Sequence, residues 1–470
     1  MKPYNFILIF LLASSTLNGK IRVASVLGDN MVLQRNSEVK IWGKADPNQK
    51  LYIVTSWNKE KQTTIASNNG AWLVKSKTTD AGGPYKITIT AGKEKVTLQN
   101  ILLGEVWLCS GQSNMEMPIS GRRDAPVDGS TDMLLNAENE QLRLFTVGIA
   151  SRATPVDTCT GKWDVASAET VSNFSAVGYL FAKHLQQQLK VPVGIMCSSW
   201  GGSRIEAWMK KEVLASFPEP LKQTTLEKTP EHQRASFLYN GMIAPLLNYT
   251  IKGVLWYQGE ANIVNYQDYA ALLVSMVKNW REDFAIGEFP FYYVQIAPYY
   301  YSNSKARNAA FQREAQYNAM SKIPNAGMVT TFDLGEEKNN HPADKETVSK
   351  RLVLWALAET YQYKGIPYKS PTYKNMVVKD SVVVLTFNNI VNGLSSKCNE
   401  IECFEIAGSD SIFYPAKATI NQRQVRVYSP AVKVPVAVRY GFYNYSKTSG
   451  YLYNTAGLPV VPFRTDHWEN

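Results

Sequence analysis

Between residues 101 and about 361 the chain alternates short, mostly apolar runs with stretches of helical period, and few architectures accept that alternation. The apolar runs are Glu105–Cys109, Pro192–Ser198, Gly253–Tyr257, Phe291–Ile296 and Gly327–Phe332. Their length suits strands buried on both faces. Between them, Phe174–Lys190 sets Val177, Leu180, Phe181, Leu185 and Leu189 on one helical face, and Tyr266–Asp283, Ala306–Lys322 and Lys345–Tyr361 read as further helices. Strands interleaved with helices predict an α/β domain built on a doubly wound parallel sheet.

The flanks differ. Ile21–Val26, Ser37–Trp42, Leu51–Trp57, Ala71–Lys75 and Tyr85–Thr90 are short strands separated by turns such as Asn68-Asn69-Gly70. Regular short strands predict a sandwich-like β module over 21–100. Strand signals return at Val377–Phe387, Cys403–Ile406, Gln424–Tyr428 and Val434–Tyr440, so 371–470 reads as a second β region after an α/β domain at 101–370. A chain of 470 residues is too long for one ordinary core, consistent with this division.

Residues 1–20 stand outside the fold. Lys2, an apolar run from Phe6 to Ala13, and then Ser14, Ser15, Thr16, Asn18 and Gly19 have the order of a secretory signal peptide. No later segment is apolar enough to span a bilayer, so a periplasmic or secreted soluble enzyme is expected. The net charge of +10 is scattered, with no basic run, which argues against a nucleic-acid partner. Of the five cysteines, Cys398 and Cys403 are the disulfide candidates for an oxidising compartment, and Cys109 and Cys197 read as small buried hydrophobes. No Cys or His spacing fits a zinc site.

Polar clusters follow several of the strands. They are Ser110-Gly111-Gln112-Ser113-Asn114, then Ser198 to Ser203 with Trp200, Gly201 and Gly202, then Gln258-Gly259-Glu260, and last Asp333 to His341 with Glu336 and Glu337. At one edge of one sheet these clusters would converge. The residue types suit acyl transfer: Ser113 as nucleophile, and His341 as the histidine near enough in pattern to serve as its base. The Ser113 N–H, an N–H of Gly201 or Gly202 and the Gln258 amide are the candidate oxyanion donors. No G-x-S-x-G elbow occurs, which disfavours the usual α/β-hydrolase arrangement. Each residue also has a plain structural reading: Ser113 as a helix cap, Gln258 and Glu260 as surface polar groups, His184 as a core histidine, His232 and His467 as loop residues, and Trp200 as core instead of a sugar platform.

The segments Gly-Gln-Ser-Asn-Met (111–115), Trp-Gly-Gly-Ser-x-x-Glu-Ala-Trp (200–208), Leu-Tyr-Asn-Gly-Met-Ile-Ala-Pro-Leu (238–246), Trp-Tyr-Gln-Gly-Glu-Ala-Asn (256–262), Arg-Glu-Ala-Gln (313–316) and Asp-Leu-Gly…His-Pro (333–342) occur in that order. In order and spacing they resemble the sialate O-acetylesterase family, a branch of the SGNH hydrolases, over roughly residues 100–360. The resemblance implies Ser113 as nucleophile, His341 as general base, and Gly201 or Gly202 with Gln258 in the oxyanion hole. It also implies an O-acetylated sugar as substrate, with no metal or cofactor. Lys338 and Asn339 stand where the superfamily often has its acid, leaving Asp333, Glu336, Glu337 or a Ser–His dyad to orient His341. Asn114, Glu260 and Trp200 are substrate-side candidates, and Arg204 and Arg313 are candidates to meet a sialic acid carboxylate. Xylan, pectin or another acetylated glycan is the alternative substrate. A carbohydrate-binding protein retaining the esterase shell is the rival of another class.

Overall fold

A computed structural model describes residues 20–218, 229–301, 307–446 and 448–468. The segment read as a signal peptide lies outside the described residues, apart from Lys20.

The apolar runs form a parallel sheet. In chain order its strands are β1 (Glu94–Gly111), β2 (Asn139–Thr146), β3 (Val193–Ser199), β4 (Gly253–Tyr257), β5 (Phe291–Val294) and β6 (Ala326–Val329). Across the sheet the order is β2-β3-β1-β4-β5-β6, every neighbour parallel, and Trp163–Ala166 adds an antiparallel edge beside β2. The helices that matter here are α1 (Ser113–Glu116), α2 (Ala176–Leu189), α3 (Tyr266–Phe284), α4 (Asn308–Met320) and α5 (Lys345–Trp355).

Alternate side chains of each strand enter two different cores, which is why the strands read as unbroken apolar runs. Trp107, Cys109, Leu255 and Tyr257 cluster with Leu180, Phe181 and Leu185 of α2 and Leu352 of α5. Val106, Leu108, Val254 and Trp256 cluster with Leu272, Met276 and Trp280 of α3 and Ala319 of α4. Helices therefore cover both faces. The chain leaves β1 for β2 and β3 on one side and later returns to build β4 to β6 on the other. The carboxyl end of β1 is thus the point where the order reverses, where open α/β sheets leave a crevice.

One strand runs across the expected boundary at residue 100. β1 is a single strand that pairs antiparallel with Gly82–Ala91 along its first part and parallel with β3 and β4 along its second. Its burial is partial up to Asn100, where only Leu98 is buried, and complete from Ile101 to Gly111. The change in pattern marks where the second face becomes covered. A separate small sheet of Arg22–Val23, Glu38–Lys44 and Ala71–Lys77 shares a hydrophobic cluster with Ile53, Ile87 and Ile89 of the large one.

β1 ends against β4. At Gly111 the backbone takes φ +136°, and a Cβ there would lie 2.1 Å from the Tyr257 carbonyl oxygen. Only glycine fits. Gly111→Ala should therefore lower the thermal unfolding midpoint and lose activity together, which a melting curve run beside an esterase assay would show.

The carboxyl-terminal part forms a two-stranded sheet and two four-stranded ones. One contains Thr372–Lys379 and Val382–Asn388, the other Phe404–Ala407 and Ala437–Tyr440, and their core takes in Phe332 from just beyond β6. The cysteine expectation needs correcting: all five are free, and the Cys398 thiol points to Ser449 while Cys403 is buried. His184 is not simply core either. Its Nε2 lies 3.0 Å from Glu346 Oε1, and that hydrogen bond holds the Glu346 carboxyl down at about 2, joining α2 to α5. No described helix is long and apolar enough to cross a membrane.

Candidate active site

Ser113 opens α1 directly beyond the β1 turn. The cap position belongs to Gln112, and no side chain makes the cap hydrogen bond, so Ser113 is not there to cap. It is 9% exposed and borders an open cleft of about 610 Å³. The residues expected from separate strand ends meet in this cleft: Ser113, Trp200, Gly201, Gly202, Glu260 and His341 all line it.

His341 comes from the loop between β6 and α5. Asn339 holds its backbone from both sides, accepting from the His341 N–H at 2.9 Å and donating to the His341 carbonyl at 2.9 Å. Glu336 fastens that clamp, accepting from Asn339 Nδ2 at 3.1 Å and from the Ala343 N–H at 2.7 Å. Glu336 thus shapes the loop instead of touching the ring. Among the described residues no carboxylate hydrogen-bonds the imidazole, and its Nε2 is buried without a partner. Burial, with Lys345 and Arg122 nearby, pushes His341 down from 6.5 to about 4. The imidazole is neutral at ordinary pH, the form a general base requires.

Asn114 ties the strand ends together. Its Nδ2 donates to Glu260 Oε1 at 2.6 Å and to the Asn340 carbonyl at 2.9 Å, and its Oδ1 accepts from Lys345 Nζ at 2.7 Å. It sits behind the cleft wall, 1% exposed, so its role is support, not substrate contact. Lys345 is 1% exposed, and burial lowers it to about 7 against the pull of Glu260, Glu336 and Asp344. Burial raises Glu260, and its Oε2 has no partner.

The expected oxyanion donors require revision. Gln258 is fully buried, its Nε2 faces the Gln112, Ser203 and Asn262 oxygens at 3.2, 3.1 and 2.7 Å, and its Oε1 accepts from the Tyr269 hydroxyl. Two amide hydrogens already face three acceptors, so Gln258 has none left for an oxyanion. It works one step back: with the Gly259 and Ala261 N–H groups it fixes Gln112 Oε1, and Gln112 is the residue on the cleft. Glu206 extends the same scaffold through Asn262 Nδ2 at 3.0 Å. The Gly201 N–H is likewise taken, by the Glu116 carboxylate. Among the described hydrogen bonds, the Ser113 and Gly202 N–H groups are not donated.

Three charged candidates move out of the site. Asp333 is gripped on both oxygens by Arg351, at 2.8 and 2.7 Å, and both side chains are buried, so it does not orient His341. Arg313 is 1% exposed and donates to the carbonyls of Gly441 and Tyr443, fastening α4 to the carboxyl-terminal β region. Arg204 precedes the short turn Ile205–Trp208 and does not line the cleft. Other residues stand there. Arg122 lines the cleft and pairs with Glu116 at 2.8 Å, Tyr301 lines it too, and the ring of His232, expected as a loop residue, lies 5.7 Å from that of Trp200 at a 32° tilt. Glu116 was legible as a helical neighbour of Ser113 three residues on. Nothing in the local sequence marks Arg122 or Lys345.

A serine beyond a central parallel strand and a neutral histidine opening on one cleft define, with this fold, a carboxylic ester hydrolase. The family described as "Carbohydrate esterase, sialic acid-specific acetylesterase" matches residues 103–361. A sialate O-acetylesterase of Mus musculus is 29% identical over 510 aligned residues, covering 94% of each chain, and one of Pongo abelii is 31% identical, covering 74% of this chain and 73% of its own. The crystal structure of a carbohydrate acetylesterase from Xanthomonas citri superposes with a TM-score of 0.87 at 33% identity, covering 95% of this chain and all of the other. The chain belongs to the sialic acid-specific acetylesterase family of carbohydrate esterases.

Proposed function

We propose that this protein is an exported SGNH-type esterase that removes O-acetyl groups from a sugar through a Ser113 acyl-enzyme. The observation that carries the reading is the shared cleft of Ser113 and His341, 228 residues apart in sequence (341 − 113). Neutral His341 takes the Ser113 proton as Oγ attacks the acetyl carbonyl. The oxyanion is met by the Ser113 and Gly202 N–H groups, fixed beforehand by the β1 and β3 turns. His341 returns the proton to the departing sugar oxygen, and water then releases acetate by the same steps. Among the described residues no carboxylate meets the ring, so the clamped loop does the orienting and the pair acts as a dyad.

Sialic acid is the first substrate to test, since the Mus musculus and Pongo abelii relatives are sialate O-acetylesterases. Its carboxylate would meet Arg122, the cation that lines the cleft among the described residues, not Arg204 or Arg313. The decisive experiment treats the purified protein with a fluorophosphonate and locates the adduct by mass spectrometry, alongside acetate release from O-acetylated sialic acid and from acetylated xylan. An adduct on Ser113 with acetate release supports the proposal. Acetate release without any adduct at Ser113 overturns the mechanism, and preference for xylan overturns the sialate reading.

The lowered His341 sets the pH profile. Activity needs the neutral imidazole, so kcat/KM for an aryl acetate should be level through neutrality and fall only as pH drops through about 4. Lys345→Met removes a positive neighbour and should move that acid limb upward. A wild-type limb near 6.5, with the fold intact by circular dichroism, would contradict the buried, cation-flanked histidine.

A further inference from the structure

Glu116 lines the cleft beside Ser113. It stands one turn along α1 from Ser113, so both side chains share a face. Its Oε2 accepts the Gly201 N–H, and its Oε1 meets Arg122 Nη2 at 2.8 Å. A Cβ built on Gly201 would lie 3.0 Å from Glu116 Oε2, 3.4 Å from Ser113 Cβ and 3.7 Å from Arg122 Nη1. The carboxylate and the nucleophile therefore flank the same glycine.

A backbone N–H and a guanidinium on one carboxylate are the elements of a small anion site. We propose that Gly201 and Arg122 form a carboxylate-binding site beside Ser113, and that Glu116 fills it from within the chain until a carboxylate ligand, acetate above all, displaces it. The Glu116 side chain is 24% exposed and that of Arg122 39%, so the pair is partly hydrated and opens without unpacking a core. When Glu116 swings out, Gly201 regains a free N–H next to the nucleophile. A planar carboxylate such as acetate, the product released in the proposed reaction, then finds the two donors that Glu116 had used. The internal side chain acts as a tethered competitor, lowering the apparent affinity of any external carboxylate by the fraction of time it occupies the site.

The role of acetate as product rests on the proposed esterase reading; the anion site does not. The test is therefore made without turnover. Acetate binding is measured by titration calorimetry on Ser113→Ala, on Ser113→Ala with Glu116→Ala, and on that pair with Arg122→Ala added. If Glu116 occupies the site nine-tenths of the time, its removal tightens acetate about tenfold, and loss of Arg122 cancels the gain. Glu116→Gln, which keeps the shape and an acceptor for Gly201, should give a smaller gain and stands in if the alanine variant folds poorly. Unchanged or weaker acetate binding in a folded Glu116 variant overturns the proposal and makes Glu116 a brace for the Gly201 turn. In the active background, aryl acetate hydrolysis should become correspondingly more sensitive to added acetate. A protein that binds acetate as expected but hydrolyses no ester would defeat the esterase reading and leave the site standing.

Discussion

Ser113→Ala is expected to lower kcat for an aryl acetate by about 10³-fold or more, with the melting temperature unchanged. The hydroxyl caps no helix and the residue borders the cleft, so its loss removes chemistry and not packing. His341→Gln should cost a similar factor. The double variant should be little worse than either single one, because nucleophile and base act as a unit and their effects do not add. Steady-state kinetics on the three variants, with calorimetric melting as the control, test this. Multiplying losses would mean that Ser113 and His341 act independently, and the dyad would fall.

Asp333→Ala is expected to act in the opposite sense: large in stability, small in rate. Arg351 holds both Asp333 oxygens, and the side chains of the pair are 8% and 4% exposed. Removing one partner strands a buried guanidinium, and breaking such a pair typically costs about 3–5 kcal/mol. Denaturant unfolding should show that loss, while kcat for the folded fraction stays within a few-fold of wild type. The reverse result, an unchanged midpoint with kcat down by about 10⁴-fold, is what loss of a histidine-orienting acid produces and would restore Asp333 to the site.

Much of the frame was legible in the sequence. Trp107, Leu255 and Tyr292 alternate with Leu108, Trp256 and Tyr293, so the strands look wholly apolar, and that signature exists because helices cover both faces. β2 was missed: Asn139–Thr146 begins with polar residues and only Leu142–Phe145 is buried. At the boundary read near residue 100, one strand changes burial pattern because its surroundings change. Within the site, strand-end serine and glycine clusters and a histidine before proline were enough to assemble the list of candidates.

Their roles were not legible to the same depth. Ser113, Gly201 and Gln258 look equally suited to hold an oxyanion from sequence. Which of their N–H groups remains undonated depends on the Glu116, Ser203 and Asn262 oxygens, which other segments carry to them. Asp333 carries the right charge near the right histidine, and Arg351, one helix further on, takes both its oxygens. Local pattern records which face of a strand or helix a residue occupies, because backbone periodicity and burial are local properties. It carried the α/β class and the position of Ser113 at the end of β1. Hydrogen-bond partnership and burial of charge are set by atoms distant in sequence. Only the tertiary structure decided that His341 is held by its loop, that Gln258 supports rather than donates, and that Glu116 occupies the place beside the serine.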